Sequence, residues 1–537
     1  MKIFGTIFPF VESGDPDFRM GRYIANYEFL AALLNHASFD SYHLFCMTPG
    51  HLQSTAQRLT QDTSIDTRAK ARIQLFLYSS LREKLETERY HVFHLGGWGY
   101  FFSGLAQLRN RYATHPFPIT AIIHSLNARD ARYDYHKLLT GPFTDCDAVI
   151  CTSEAGREVM RKQLNRIAAL DQCPPWRGQL PIIPLGVFPT RLPERQTCRR
   201  DLALNDNTVT ILYIGRLSPN TKADLYPLML CFRQLQQQSS QPLRLVIAGG
   251  ASTTEQALHR DMIRELELEP AVTLLANFDP AMKWRLYAAA DICIAPADNL
   301  QETFGISIIE AMQAGLPVVA SDLNGYRDLV DNGSTGYLIP TTWIDQLELA
   351  EMDEIMSSTS LQTLLAQSMV VDLDQMRERL LALVEDPELR RRMGTNGRQK
   401  VAQQYLWPIV IARYEALWEQ LHDQSRHADF TAQAQSRFSN NYLESFSHYP
   451  SKRLEGNIPV GLTDSGRQCL SSGQTPPIYN DVAMLLDQEW LAAVMRELDA
   501  EGEPITAAEL LSRHGDEGNR GRFSLLWAAK YGLLKLG

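Results

Sequence analysis

Glu302 and Glu310 lie eight positions apart in the stretch QETFGISIIEAMQAGLPVV. Gly305 opens a short apolar helix there, and Gly315 with Pro317 closes it. Glu302 then stands in the loop before the helix and Glu310 within it. At helical rise, eight positions span at most about 12 Å, too far for two carboxylates to share one proton. The spacing suits two carboxylates holding opposite ends of an elongated ligand. Between them lie the amides of Phe304, Gly305 and Ile306, and a helix N-terminus is an anion site. Carboxylate, anion site, carboxylate is the order that sugar hydroxyls, a diphosphate and ribose hydroxyls require. Surface carboxylates at this spacing are common, so the spacing needs support from the rest of the chain.

That support begins with ILYIGRLSPNTKADLYPL. A strand ends at Gly215, and Arg216 and Lys222 follow in the loop. Two cations at the end of a parallel strand can neutralise a diphosphate. Alone they read as solvated side chains. Set at the strand ends of the same sheet as the Glu302 segment, they face one cleft.

The elements that must position these groups alternate along the chain. Early apolar runs are KIFGTIF, HLFCM, HVFHLGG, ITAIIHS and DAVICTS, with helical stretches such as YIANYEFLAALLNHA between them. This pattern predicts an α/β fold with a parallel sheet wrapped by helices. A proline-rich segment from Pro174 to Pro193 reads as a crossing between domains. A second alternating set follows: VTILYIG, LRLVIAGG, VTLLANF, DICIAPA and LPVVASD. The predicted layout is a first Rossmann-like, acceptor-side domain over 1–190 and a second, donor-binding domain over 191–422. A Ser-, Gln- and Asn-rich linker over 423–480 precedes a small helical domain over 481–537, possessing a capping-box pattern at Thr506 and Glu509. Pro408 marks a kink or restart in the helices that close the second domain. Ligands in such sheets bind beyond the carboxyl ends of the strands.

Composition excludes several alternatives. The chain has 537 residues, 45% hydrophobic and 21% charged, with a formal net charge of −10. That balance argues against a nucleic-acid binder. The eight cysteines show neither metal nor disulfide spacing and read as reduced residues of a cytoplasmic protein. No apolar run approaches the roughly 20 residues of a membrane span. MKIFGTIFPF reads as a first strand, without the apolar core of a signal peptide.

The segments GRLSPNTKAD, LVIAGG and DICIAPADNLQETFGISIIEAMQAGLPVVASDLNGYRDLV resemble the second domain of family 4 retaining glycosyltransferases, which have the GT-B fold. The resemblance is dense from about Thr208 to Pro340, runs on to about His422, and is thinner over Met1 to Pro189. It implies that Glu302 contacts the transferred sugar, that Glu310 binds the ribose, and that Arg216 and Lys222 stabilise the diphosphate leaving group. Gly21, in the loop before YIANYEFLAALL, resembles the family's glycine near the donor phosphate or acceptor. His124, ending ITAIIHS, resembles the family's histidine near the reacting sugar, although a lone histidine after a strand is more often structural. Ser153 and Glu154 match an interface segment. Asp291 and Asp298 flank the site and are assigned to loop structure. Ala223 stands where the family commonly has glycine, and Met20 where it often has a second one. The resemblance further implies a nucleoside-diphosphate-sugar donor, no cofactor, no metal, no protein nucleophile and retention of anomeric configuration. The remaining enzyme readings are a GT-B phosphorylase and a nucleotide-sugar epimerase; outside enzymes, a ligand-binding scaffold.

The acceptor is open: glycan, lipid-linked sugar, small molecule or protein. Base choice falls to the loop at Ala276, Asn277 and Phe278, for which the sequence supplies no code. EAGREVMRKQLNRIAAL carries Arg157, Arg161, Lys162 and Arg166 on an amphipathic helix. A solvated face is the first reading, and peripheral docking on anionic lipid at the inner face of the membrane the second. The tail has a faint winged-helix look. Between Asp481 and Gly537 ten acidic and six basic side chains argue against DNA and for a packing, protein-interaction or oligomerisation module.

Overall fold

The computed structural model describes residues 1–7, 10–11, 21–99, 101–128, 130–345, 355–431, 441–479, 482, 485–516 and 519–537. Its contacts divide the chain into two compact units. One holds Met1–Phe45, Thr55–Phe76 and Arg82–Gln435, and the other Cys46–Ser54, Leu77–Leu81 and Ser436–Gly537.

The first unit contains two parallel sheets. Strands β1 (Ile3–Ile7), β2 (Ser41–Cys46), β3 (Ile73–Leu77), β4 (Tyr90–Leu95), β5 (Ile119–Ile122) and β6 (Ala148–Ile150) lie in the order β3-β2-β1-β4-β5-β6. Strands β7 (Val209–Ile214), β8 (Leu243–Gly249), β9 (Val272–Ala276), β10 (Ile292–Ala295), β11 (Val318–Ser321) and β12 (Gly336–Ile339) lie in the order β12-β11-β10-β7-β8-β9. Every residue of β1, β2, β4 and β7 is buried, because helices cover both faces; this is why these strands read as unbroken apolar runs. Both sheets follow the doubly wound order of a Rossmann-like domain. Strand order reverses between β1 and β4 in one and between β7 and β10 in the other. The crevice beyond the carboxyl ends of those four strands is where such sheets take ligand. Gly249 is required there by close approach, since a Cβ on it would fall 1.6 Å from the Gly215 carbonyl oxygen.

Helix Trp407–Ser425 begins afresh after Tyr405, with Pro408 in its first turn, where a missing N–H costs nothing. It follows the second sheet in sequence yet packs on the first lobe. Val410, Ile411, Tyr414 and Trp418, spaced on one helix face, join Phe4, Phe29 and Tyr42 in one core, and Trp418 Nε1 donates to Thr120 Oγ1 at 3.0 Å. The second-lobe range of 191–422 therefore includes a helix that belongs physically to the first lobe. The two crossings between lobes run side by side, with Val187 N donating to Tyr405 O at 2.8 Å and Trp407 N to Val187 O at 3.1 Å. A further pair, β13 (Thr341–Trp343) and β14 (Met369–Val371), is antiparallel and flanks helix Ser358–Gln367.

The second unit carries strands β15 (Pro459–Leu462), β16 (Ile505–Thr506) and β17 (Leu534–Leu536), with β15 central and antiparallel to both others. Among the described residues it also holds helices Tyr442–Ser445, Asp464–Ser472, Gln488–Glu501, Ala507–His514 and Arg520–Lys530, the last three carrying the β16 and β17 strands between and after them. Helix, strand, helix, helix, strand is winged-helix order, except that the central strand comes from before the helices. Thr506 and Glu509 form the expected capping box. The module also reaches back into the range read as linker: Val460 is fully buried in its core, and Leu462, Cys469 and Leu470 pack against it.

Candidate active site

Arg216 and Lys222 follow β7, and Glu302 follows β10, so all three stand at the reversal point of the second sheet. The loop between β7 and Tyr226 is a tight turn. Ser218 O accepts from Lys222 N at 2.9 Å, and Asp298 closes the far side by accepting from Asp224 N at 3.1 Å. Burial pushes the Asp298 carboxyl up to about 7, against the Asp224 N–H that favours its charged form. Asp291 sits at the opposite end of β10, paired with Arg195 at 2.6 Å, so it serves structure but does not flank the site as its sequence position suggested. Ala223 is 1% exposed and stays out of the left-handed backbone region, so alanine meets no strain there.

Within this loop Lys222 Nζ lies 2.5 Å from Glu302 Oε2, and Phe304 N donates to Glu302 Oε1 at 3.2 Å. The Phe304 amide is therefore engaged by Glu302, whereas the sequence placed it in the anion site beside Gly305 and Ile306. Burial pushes the Glu302 carboxyl up, but the Lys222 ammonium outweighs it and holds the group below the ordinary carboxylate range. Burial likewise opposes the charge on Lys222, and Glu302 more than restores it, so the ammonium is held above its ordinary range. Tyr213 donates its hydroxyl to Arg216 O at 2.8 Å, and Arg216 Nη2 donates to Thr221 O at 3.3 Å. With its amide turned to satisfy both neighbours, Gln301 accepts from Arg216 Nη2 at 3.2 Å.

Helix Ile306–Ala314 starts on Gly305, whose φ of +114° only glycine adopts readily, and whose Cβ would lie 2.7 Å from the Tyr326 ring. One turn on, Glu310 is buried and doubly held. Lys283 Nζ lies 2.5 Å from its Oε1, and Tyr287 donates its hydroxyl to Oε2 at 3.1 Å. The sequence missed both partners, because nothing in the spacing of Lys283 or Tyr287 links them to Glu310. Asn277, in the expected base loop, is tied down by Ala251 through two amide hydrogen bonds of 2.9 and 2.8 Å.

On the first lobe, His124 follows β5 and is fixed by groups at that sheet's own reversal point. Its Nε2 lies 2.7 Å from Gly96 O and 3.1 Å from Asn26 Oδ1. Two acceptors at one ring nitrogen assign the proton to Nε2. Burial pushes the imidazole down to about 4, with Arg22 acting in the same direction, so the ring is neutral at physiological pH. Gly21 is the first residue of helix Gly21–His36, where the sequence placed it in the loop before; residues 12–20, including Met20, lie outside the described residues. A Cβ at Gly21 would meet nothing within 4 Å. Glu28, on the same helix, feels Lys283 and Glu310 from the other lobe, and burial pushes its carboxyl up to about 7.

Three contacts join the lobes beside these groups. Ser153, the N-cap of helix Glu154–Leu170, donates to Thr303 O at 2.6 Å; Glu154 N donates to Asp328 Oδ2 at 2.7 Å. Asn127 and Gln362 exchange hydrogen bonds of 2.7 and 3.1 Å. Ser153 and Glu154 thus meet the expected interface placement, and the Ser153 bond reaches the residue next to Glu302. Helix Glu154–Leu170 presents less free charge than its sequence promised, because Arg157 pairs with Glu154 and both Arg161 and Lys162 with Glu158. Among the described residues no helix is long and apolar enough to cross a membrane.

Comparison with known proteins agrees with this geometry. The profile "Glycosyl transferases group 1" matches residues 194–368, and "Glycosyltransferase Family 4" matches residues 30–169. A D-inositol 3-phosphate glycosyltransferase of Corynebacterium aurimucosum is 32% identical over 164 residues, 29% of this chain and 38% of the relative. That of Corynebacterium glutamicum is 31% identical over 226 residues, 41% of this chain and 45% of the relative. The match spans less than half the length of these curated relatives. Sucrose-phosphate synthase from Thermosynechococcus elongatus superposes with a TM-score of 0.55 at 20% identity, covering 79% of this chain and 100% of its own. Anabaena HepE, solved in complex with UDP, superposes at 0.52 and 16% identity, covering 78% of this chain and 100% of its own. Those likenesses establish a shared fold. The two profiles fall in turn on the two doubly wound sheets, and the chain has GT-B architecture and resembles the family 4 glycosyltransferases.

Proposed function

We propose that this protein is a retaining glycosyltransferase that moves a sugar from a nucleoside-diphosphate sugar to an acceptor hydroxyl. The observation that carries the reading is the Lys222–Glu302 pair at the reversal point of the second sheet, beside Arg216 and the helix that starts at Gly305. A diphosphate entering this loop offers Lys222 and Arg216 a partner, and releases Glu302 to accept from the sugar's hydroxyls. The Gly305 and Ile306 amides meet the same anion. Glu310, with one oxygen held by Lys283 and the other by Tyr287, keeps a further lone pair on each for the ribose diol. His124 has its proton committed to Gly96, so it presents the acceptor nitrogen Nδ1 toward other groups.

The leaving group is already good, so catalysis consists of orientation and stabilisation of developing charge on the diphosphate. As the sugar's anomeric bond to the diphosphate breaks, the acceptor hydroxyl attacks on the face that the diphosphate leaves and gives its proton to the departing phosphate oxygen, which gives retention. The leaving oxygen's charge is balanced by Arg216 and Lys222, which supports turnover without a divalent ion. UDP is the first nucleotide to test, given the ligand of HepE.

Thermal-shift screening of UDP, GDP and ADP tests the reading. One of them is expected to raise the melting temperature of the parent protein and not of Arg216→Ala. Stabilisation by none of the three would remove the nucleotide site.

A further inference from the structure

Far from this cleft, the first lobe brings together three donors of different chemistry. His136 projects from helix Ala131–Thr140, Asp171 caps helix Glu154–Leu170, and Cys173 follows two residues later. Their ligand atoms all lie within 4.8 Å of one another, with His136 Nδ1 2.5 Å from Asp171 Oδ2. The backbone fixes the pair after the helix. Asp171 N donates to Ile167 O at 2.9 Å and Cys173 N to Ala168 O at 3.0 Å. Gln172 between them takes a left-handed φ of 52°.

We propose that His136, Asp171 and Cys173 bind a divalent cation of zinc-like character. An imidazole nitrogen, a carboxylate oxygen and a thiolate are the donor types that borderline ions take, whereas magnesium and calcium prefer oxygen alone. Bonds of about 2.0–2.3 Å in tetrahedral geometry set donors roughly 3.3–3.7 Å apart. Metal binding requires the His136–Asp171 contact to open by about 1 Å and the sulfur to draw in. A water supplies the fourth position, since the Asp171 side chain is 42% exposed. The carbonyl end of the 17-residue helix carries partial negative charge toward the ion. Binding breaks the S–H bond of Cys173 and gives the proton to solvent, with the electron pair kept on sulfur for the metal, so affinity rises with pH.

The ion clips one helix to the end of another. The helix from Glu154 to Leu170 spans about 25 Å, so the clip lies a helix length from the interlobe contact of Ser153 and takes no part in glycosyl transfer.

Cobalt titration of the full chain tests this. One equivalent is expected to give a thiolate-to-cobalt band in the near ultraviolet and strong visible bands of tetrahedral type, and zinc should displace them. Cys173→Ser should abolish the near-ultraviolet band, and His136→Ala and Asp171→Asn should each weaken zinc binding by about tenfold or more. These positions are partly exposed, so the variants are expected to fold. A thiolate band that survives Cys173→Ser, or weak octahedral bands alone, would overturn the proposal.

Discussion

The Lys222–Glu302 pair makes a counterintuitive prediction: Glu302→Gln should bind nucleoside diphosphate more tightly than the parent while losing turnover. At 2.5 Å and an effective dielectric of about 20, the pair's attraction is about 6–7 kcal/mol before desolvation. The two side chains are 15% and 20% exposed, and the net cost of stranding one member of such a pair is about 3–5 kcal/mol. When a nucleoside diphosphate without its sugar takes Lys222, Glu302 is stranded in this way. Solvent entering from the cleft recovers part of the cost, which leaves about 1.5–3 kcal/mol, or roughly tenfold to a hundredfold in affinity. Glutamine keeps the shape and the hydrogen bond to Phe304 while removing the charge that competes for Lys222. Titration calorimetry with UDP, at low and high salt, reads the difference. Lys222→Met should move affinity the other way, and the double variant should fall between. Equal or weaker UDP binding by a folded Glu302→Gln protein would refute the competition for Lys222.

Arg216→Ala should lower turnover by about a hundredfold to a thousandfold with little change in melting temperature, since the residue faces a developing charge; initial-rate assays check this. Gly305→Ala forces a side chain into a φ of +114° and against Tyr326, so it should cost roughly 1–3 kcal/mol of strain and more through the clash, read as a lower melting temperature and weaker UDP binding. Glu28 carries a carboxyl raised by burial from 4.5 to about 7. The folded protein binds that proton more tightly than the unfolded chain, so its contribution is fully present below pH 4.5 and is lost as pH rises through about 7. Glu28→Gln, which imitates the protonated acid, should therefore gain about 3 kcal/mol over the parent above pH 7 and gain nothing below pH 4.5, measured as melting-temperature differences across that window.

Much of the framework was legible because it rests on local chemistry. Continuous apolar runs announced strands buried on both faces, Gly215 marked a strand end, and Gly305 and Gly315 marked the limits of a helix. Arg216, Lys222, Glu302 and Glu310 stood out because each follows such a strand or turn at short range. Their partners did not. Lys283 and Tyr287 reach Glu310 from a separate helix, and Asn26 and Gly96 reach His124 from two other elements, contacts made only by the sheet's winding. The helix at Trp407 looked like the end of the second lobe, and its apolar face carried no sign of which lobe it fills. Strand β15 was hidden for a different reason. It is four residues long, only Val460 is fully buried, and the surrounding composition is that of a linker. The His136, Asp171 and Cys173 cluster escaped the cysteine count because it holds a single cysteine and its histidine stands 35 positions before Asp171.

The central claim is transfer from a nucleoside-diphosphate sugar with retention. Incubating the full chain with UDP-, GDP- and ADP-sugars and a panel of hydroxyl acceptors, and following anomeric proton couplings by NMR, tests it directly. The account predicts acceptor-dependent release of one nucleoside diphosphate, a product with the donor's anomeric configuration, and loss of both in Arg216→Ala. An inverted product, or release that needs orthophosphate in place of an acceptor, would contradict it.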